Sequence, residues 1–309
     1  MMTRTLFLVF ALAVPATSTP SGPVIQNEPA PVAVLVRFEN ELHLKSGPTG
    51  RRVTKSDIGR VLHEGDVLTC KTDASSFTLL NAAMKEVQIK GQCTQGYVLP
   101  APAGNYSQIL QRYGRTGGRS RGTLPGFLLW PVTGVRTLPA TASHLQWRKQ
   151  SSGTVTATAT ASAGDRVIWT RTGIDASLGE WHDTALAAAL QAEVDAGDLV
   201  VRLDVRISEA MNGSATIDLL DKAAQRKLDG DLAASTTGLG DEARRLVRAD
   251  VYLLANLPRE ALDESVAMLE RAPESAFLLA KAAALAVEIS DPRAVDLVKR
   301  SRAAEGNQD

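Results

Sequence analysis

The amino-acid sequence predicts a multidomain protein in which β structure comes first and helices follow. Between residues 32 and 220, short runs alternate apolar and polar residues and are separated by turn residues, as in strands buried on one face. From Asp221 onward the apolar residues recur at spacings of three and four, which predicts helices with one apolar face. The expected order is therefore a small β domain, a β-sandwich and C-terminal helical-repeat hairpins.

The N-terminal segment has the layout of a secretory signal peptide. Arg4 supplies a positive charge, residues 6–14 form an unbroken apolar run, and Ala16 or Ser18 offers a small residue for cleavage. The run is too short to cross a bilayer core of about 30 Å. We expect residues 1–18 to be removed and the mature chain to be periplasmic or secreted in a bacterium. The alternative is an N-terminal anchor that is not cleaved.

Composition limits the classes of partner. The chain carries 34 basic and 34 acidic side chains, so it has no net field that would draw it to nucleic acid or to anionic lipid. No second apolar run approaches the length of a membrane span. Apolar residues make up 44% of the chain, which is enough to build a buried core.

The first β domain is predicted over residues 32–102, after an extended, proline-rich leader at residues 19–31. Its first strand carries Val32, Val34 and Val36 in alternation, which predicts a half-buried strand. The two cysteines of the chain, Cys70 and Cys93, both fall in this domain. In an oxidising compartment they are expected to form a disulfide, and the alternative is two buried free thiols.

Residues 103–126 interleave glycine with arginine and are interpreted as an interdomain linker, with a strip that binds polyanions as the alternative. Residues 127–220 are interpreted as a second β domain of short antiparallel strands, with a hairpin signal at Asn212-Gly213. Residues 221–305 are interpreted as antiparallel helix pairs, with Pro258 and Pro273 at the breaks.

The first β domain carries a leucine, a Gly-Asp turn, a strand that ends in threonine, a turn of small residues and a further alternating strand. The residues of this pattern are Leu62, Gly65-Asp66, Leu68-Thr69, Ser75-Ser76, Phe77, Leu79, Val87 and Ile89. Through them the domain resembles the extracytoplasmic FecR-type domain, which implies a β fold outside the inner membrane. Asn81-Ala82 stands where that family usually has an Asp-Gly hairpin.

The other two segments also carry motifs of known modules. Residues 127–220 contain Leu145-Gln146-Trp147, Val167-Ile168-Trp169 and Ala196-Gly197-Asp198-Leu199-Val200-Val201. Through these motifs the segment is similar to an immunoglobulin or fibronectin-like sandwich. In the helical segment, Ala249, Tyr252, Ala261 and Pro273 stand at positions 8, 11, 20 and 32 counted from Glu242. This spacing resembles a tetratricopeptide repeat, with small residues where paired helices approach closely.

No catalytic motif, cofactor motif or metal-ligand spacing is found, and the four histidines are scattered. His63-Glu64-x-Asp66 is either a weak ion site or, as we expect, a solvated turn. Residues 180–183 are either a small site or a loop anchored by Trp181. The sequence therefore predicts a non-catalytic envelope protein that binds protein or glycan partners as a scaffold or sensor. The alternative is an extracytoplasmic hydrolase with an unrecognised site.

The predicted partner-binding surface is the face of the first helices in the helical segment. It carries Arg245, Arg248, Tyr252 and Lys281, and Arg and Tyr are common anchors of interfaces. One alternative is that Tyr252 packs inside its own helix pair while the arginines pair with acids such as Asp241 and Glu242. Another is that the partner of this face is the β-sandwich itself, which would make the helices a structural cap.

Overall fold

The computed structural model describes residues 30–83, 85–91, 93–101, 127–162, 165–209 and 211–306. The predicted signal peptide and the linker at residues 103–126 lie outside these residues, as does the leader up to residue 29. In the described part, β-sheets occupy the N-terminal portion and helices the C-terminal portion, so the predicted fold class is confirmed at this level. Within these residues no helix is long and apolar enough to cross a bilayer.

The N-terminal β unit (residues 30–101) contains two four-stranded sheets, ordered β4-β1-β6-β7 and β3-β2-β5-β8. They pack on each other around a core that includes Leu35, Leu42, Leu68 and Phe77. The strands are β1 (Pro31–Glu39), β2 (Leu42–Ser46), β3 (Thr49–Arg52), β4 (Val61–His63), β5 (Val67–Cys70), β6 (Ser76–Asn81), β7 (Glu86–Lys90) and β8 (Tyr97–Val98).

Strand β1 is covered on both faces. Residues 32–36 are all at most 5% exposed. Leu35 belongs to the core between the two sheets, whereas Val34 and Val36 belong to a second cluster built mainly from helices. The expectation of a half-buried strand was therefore wrong. The run Val-Ala-Val-Leu-Val is continuously apolar, and such a run fits burial on both sides.

The second β unit (residues 127–220) has a five-stranded sheet, β10-β16-β15-β12-β13, and a three-stranded sheet, β14-β11-β9. In the larger sheet β10 runs parallel to β16, and the other pairs are antiparallel. The strands are β9 (Leu128–Trp130), β10 (Arg136–Thr137), β11 (His144–Trp147), β12 (Thr154–Ala161), β13 (Arg166–Asp175), β14 (Glu180–His182), β15 (Val200–Arg206) and β16 (Asn212–Leu219).

This unit also contains helices that the strand pattern did not predict, α1 (Pro139–Ala142) and α2 (Thr184–Ala196). Asp183 caps α2, because its side chain accepts hydrogen bonds from the backbone N–H groups of Ala185 and Leu186. Gly197 ends the helix in a left-handed conformation, with φ at +90°. Leu186 and Leu190 are fully buried and join the core of this unit. Reading residues 184–196 as part of an all-β segment was wrong.

The helical region (residues 221–306) contains five helices, each packed on the next along the chain. Pro258 begins one helix, and Pro273 lies between two, as the breaks in the sequence predict. The helices are α3 (Lys222–Thr236), α4 (Asp241–Leu254), α5 (Pro258–Leu269), α6 (Ala276–Glu288) and α7 (Ala294–Gly306).

The helical region shares one apolar cluster with both β units. Leu246, Leu262 and Leu279 of the helices lie in the same cluster as Val34 of β1 and Trp130 of β9. The helices therefore cover the outer face of the first sheet and reach the second unit.

Candidate functional site

The predicted partner-binding residues are engaged inside the helical region. Arg245 and Arg248 of α4 both pair with Glu264 of α5, at 3.0 Å and 2.8 Å. Tyr252 is 8% exposed, and its hydroxyl oxygen accepts a hydrogen bond from Arg248. Tyr252 thus packs within its own helix pair. Arg245 and Arg248 use Glu264 as their acid, whereas the neighbouring Arg244 pairs with Asp241 at 3.2 Å, as the alternative interpretation of the sequence expects.

Lys281 is also internal. Its side chain on α6 is 6% exposed, and Nζ donates to Oδ1 of Asp250 on α4. Burial raises the pKa of Asp250 from 3.8 to about 6, although the positive charge of Lys281 opposes this change. Oδ2 of Asp250 is buried and has no hydrogen-bond partner among the described residues. This pair ties the two helices together, and both of its side chains are at most 8% exposed.

Two charged residues at the start of α5 join the helices to the second β unit. Oε1 of Glu260 accepts hydrogen bonds from the hydroxyl of Thr137 and from the backbone N–H of Leu138, both at 2.8 Å. The neighbouring guanidinium of Arg259 lies 4.9 Å from the ring centre of Trp130 and donates to Asp291 at 2.6 Å. Burial raises the pKa of Glu260. These contacts fix where the second unit sits on the helices.

Two further contacts join the helices to the first β unit. The hydroxyl of Ser275, just before α6, donates to the carbonyl oxygen of Ile58 at 2.5 Å. The backbone N–H of Gly240, just before α4, donates to Oε2 of Glu86 at 2.6 Å. The seam between helices and sheet therefore combines apolar packing with hydrogen bonds at two helix starts.

The two cysteines are joined in the structure, with Cα atoms 5.0 Å apart. This is the pairing that the sequence predicts. Cys70 ends β5, and the backbone N–H of Cys70 also donates to the carbonyl oxygen of Cys93 at 2.9 Å. The bond ties the loop after β7 to the core of the N-terminal unit.

In each of the two small polar clusters singled out in the sequence, an aspartate holds the local backbone. Oδ2 of Asp66 accepts a hydrogen bond from the backbone N–H of His63, which closes the turn between β4 and β5. Asp183 caps α2 and accepts a hydrogen bond from the indole of Trp181 at 3.4 Å. What the sequence did not show is that His144 of β11 lies directly opposite His182 of β14.

One open pocket of about 620 Å³ lies between α3, α4 and the second β unit. Its walls are mostly apolar and include Leu228, Val251 and Leu254. Among the described residues, its lining has one hydroxyl group, from Ser235, and no histidine or cysteine. Its charged lining residues are Arg136, Lys227 and Asp231, and the last two pair with each other at 2.6 Å.

The outer face of the five-stranded sheet is open to solvent. Along β12 the inward residues Val155, Ala157 and Ala159 are fully buried, and threonines alternate with them on the outer side. Arg202 and Asp204 of the neighbouring strand β15 lie on the same outer face and pair at 3.1 Å. The outer face also carries Thr154, Thr156, Thr158, Thr160, Thr170, Arg206, Ser214 and Thr216.

No family model matches this chain, and no curated protein matches it. The resemblances to a FecR-type domain, to an immunoglobulin-like sandwich and to a tetratricopeptide repeat therefore rest on the sequence motifs alone.

Proposed function

We propose that this chain is an exported, non-catalytic binding protein of a bacterial envelope, in which the helices have a structural role and hold the two β units together. On this proposal a protein partner docks on the outer face of the five-stranded sheet. The observation that carries the proposal is the contrast between two surfaces. On the helical face predicted for binding, Tyr252 and Lys281 are buried, and Arg245 and Arg248, whose side chains are 41% exposed, pair with Glu264. The outer face of the five-stranded sheet is open to solvent.

The side chains on the outer face favour a partner that is recognised through hydrogen bonds and charge. Threonine and serine hydroxyl groups donate and accept hydrogen bonds without a fixed direction. Arg206 is exposed and has no ion-pair partner among the described residues, so it can anchor an acidic group of the partner. A flat sheet face with these groups suits a protein surface better than it suits a small substrate, because small ligands bind in concave sites.

The alternative of a hydrolase is less well supported. The buried polar groups that the fold brings together include the ion pair of Lys281 with Asp250, which joins two helices, and that of Arg259 with Asp291, which joins α5 to the loop before α7. Each of these closes a packing seam, and neither opens into the pocket between α3 and α4. The resemblance to the FecR-type domain agrees with a sensor or scaffold role outside the inner membrane.

The test is crosslinking and capture from native envelope extract with surface variants. Ser214→Arg and Thr170→Arg each place a long cation on the proposed face. Thr49→Arg is the matched control, because Thr49 is equally exposed but lies on β3 of the other β unit. We expect the first two variants to lose the protein that wild type captures and the control to keep it. If all three variants recover the same protein as wild type, the outer face is not the docking surface.

The export part of the proposal has its own measurement. Mass spectrometry of the native protein is expected to find a mature N-terminus between Thr17 and Ser21, as the cleavage signals predict. An intact Met1 on protein recovered from the cytoplasm would contradict the proposed export to the envelope.

A further inference from the structure

Three side chains of types that bind metal ions lie on one face of the small sheet in the second β unit. His144 of β11 is paired in register with His182 of β14, and the two imidazole rings lie 6.2 Å apart, edge to face. Glu180 lies two residues before His182 and so projects from the same face of β14. Its Oε2 lies 3.5 Å from Nε2 of His144.

The separation of Glu180 and His144 fits two ligands of one ion better than a direct hydrogen bond. A contact of 3.5 Å is longer than the usual N–H···O range. Two ligand atoms on a tetrahedral zinc ion, each about 2.1 Å from it, lie about 3.4 Å apart. An ion placed between Nε2 and Oε2 would therefore meet both atoms with only a small adjustment.

The second histidine can join them through a rotation of its ring. Two imidazoles on one tetrahedral ion have ring centres about 5 Å apart, so the rings must approach by about 1 Å. His182 is exposed, and the side chain of His144 is 39% exposed, so neither ring is fixed by surrounding core. As the side chains stand, no group of three or more His, Cys, Asp or Glu in the described residues is already converged as a metal site. On this inference, binding of a metal ion brings the three side chains together.

A further polar group lies beside the trio. Gln146 follows His144 by two residues on β11 and pairs in register with Glu180. Its Oε1 is buried and has no hydrogen-bond partner among the described residues. Such an acceptor is in place to take a hydrogen bond from a group at the site, for example a water molecule on the ion.

We propose that His144, His182 and Glu180 bind one divalent first-row transition ion, with Zn²⁺ or Cu²⁺ as the chemical class. Imidazole nitrogens prefer these ions over Mg²⁺ and Ca²⁺, which take oxygen ligands. Three protein ligands leave at least one coordination position for water. Because His182 is followed directly by Asp183, the cap of α2, an ion here would also hold the start of that helix in place.

The test uses the untagged full chain and the metal ion alone as the probe. Calorimetric titration with ZnCl₂ compares wild type with His144→Ala, His182→Ala and His43→Ala. His43 is the matched control, because it also lies on an exposed strand 3.1 Å from a glutamate, Glu41, but has no second histidine opposite it. We expect the control to bind Zn²⁺ as wild type does. Each of the other two variants is expected to bind at least about tenfold more weakly, since even outer-shell changes have effects of that size.

A second measurement does not depend on the variants. Cu²⁺ added to wild type is expected to broaden the imidazole NMR signals of His144 and His182 before those of His43 and His63. Equal Zn²⁺ affinity in all four proteins, or simultaneous broadening of all four imidazoles, would overturn the proposal.

Discussion

The two large sheets of this protein differ in how many faces are covered. In the N-terminal sheet, β1 presents Leu35 to one core and Val34 and Val36 to the helices, so both faces are buried. In the second unit, β12 buries one face and turns threonines outward. The two sheets differ in the residue type on the outer face, because an apolar valine side chain is favoured in a buried position whereas a threonine hydroxyl tolerates water. The helical region therefore completes the core of the N-terminal unit, whereas the five-stranded sheet of the second unit has one face open to solvent.

The largest expected effect comes from placing a charge on the covered face. Val34→Asp puts a carboxylate in the apolar cluster and is expected to lower the free energy of unfolding by more than about 4 kcal/mol. Thr170→Asp, on the open face of the other sheet, is expected to change it by less than about 0.5 kcal/mol. Urea unfolding followed by circular dichroism measures both. If the Asp variant does not fold, Val34→Ala serves, with an expected loss of roughly 2 kcal/mol. Similar losses at the two positions would contradict the comparison.

The next effect concerns the buried ion pair between α4 and α6. Lys281→Met leaves Asp250 buried without its cation and is expected to lower the free energy of unfolding by about 3–5 kcal/mol. The double variant Asp250→Leu/Lys281→Met is expected to recover most of that loss, because an apolar pair of similar volume often replaces a buried ion pair without loss. A double-mutant cycle in urea measures the coupling. Additive losses would show that the two side chains act independently.

The disulfide is expected to matter less. Closing the loop between Cys70 and Cys93, which are 23 residues apart, stabilises the N-terminal unit by about 3 kcal/mol on chain-entropy grounds. Cys70→Ala/Cys93→Ala should lose that amount under non-reducing conditions, and reductant should then have no further effect on it. Thiol labelling of the denatured, unreduced wild type is a direct check, and two labelled cysteines would rule out the bond.

The smallest expected effect is a dependence on pH. The folded protein holds the proton of Asp250 up to about pH 6, whereas the unfolded chain releases it near 3.8. The folded state thus binds more protons in this window, and the free energy of unfolding falls as the pH rises from about 4 to about 6. The upper limit of this contribution is about 3 kcal/mol.

Asp250→Asn isolates the contribution of Asp250 from those of other carboxyl groups. Burial raises the pKa values of Asp57 and Asp291, but hydrogen bonds from Arg51 and Arg293 outweigh it and lower them. The titration of Asp57 and Asp291 therefore makes the free energy of unfolding rise with pH, and it does so in wild type and in Asp250→Asn alike. Unfolding curves at several pH values should show a difference between wild type and variant that changes over this window. A constant difference would contradict the raised pKa of Asp250.

The order of strands and helices could be read from the sequence because it depends on local spacing. The alternation of Thr154–Ala161 and the prolines at 258 and 273 placed a strand and two helix breaks correctly. Helix α2 was missed although its signals were local. Asp183 before an Ala-rich run and Gly197 after it are ordinary start and stop residues.

The contacts between units could not be predicted, because they depend on distance in space and not on spacing along the chain. Ser275 meets Ile58 across 217 positions, and Glu260 meets Thr137 across 123. His144 and His182 are likewise brought together only by the pairing of β11 with β14. The sequence placed Arg248 and Tyr252 on one helix face, but it carried no sign that Glu264 would pair with Arg248 there.

Hydrogen exchange tests most directly whether the helices complete the core of the N-terminal sheet. Leu278 of α6 is 1% exposed and lies beside Gly59, which precedes β4. Leu278→Ala should loosen this seam, so we expect faster exchange in residues 31–39 and 76–81 and no change in residues 154–161 and 200–206. Unchanged exchange in the N-terminal sheet, or an equal increase in both sheets, would show that the helices do not complete the core of the N-terminal sheet.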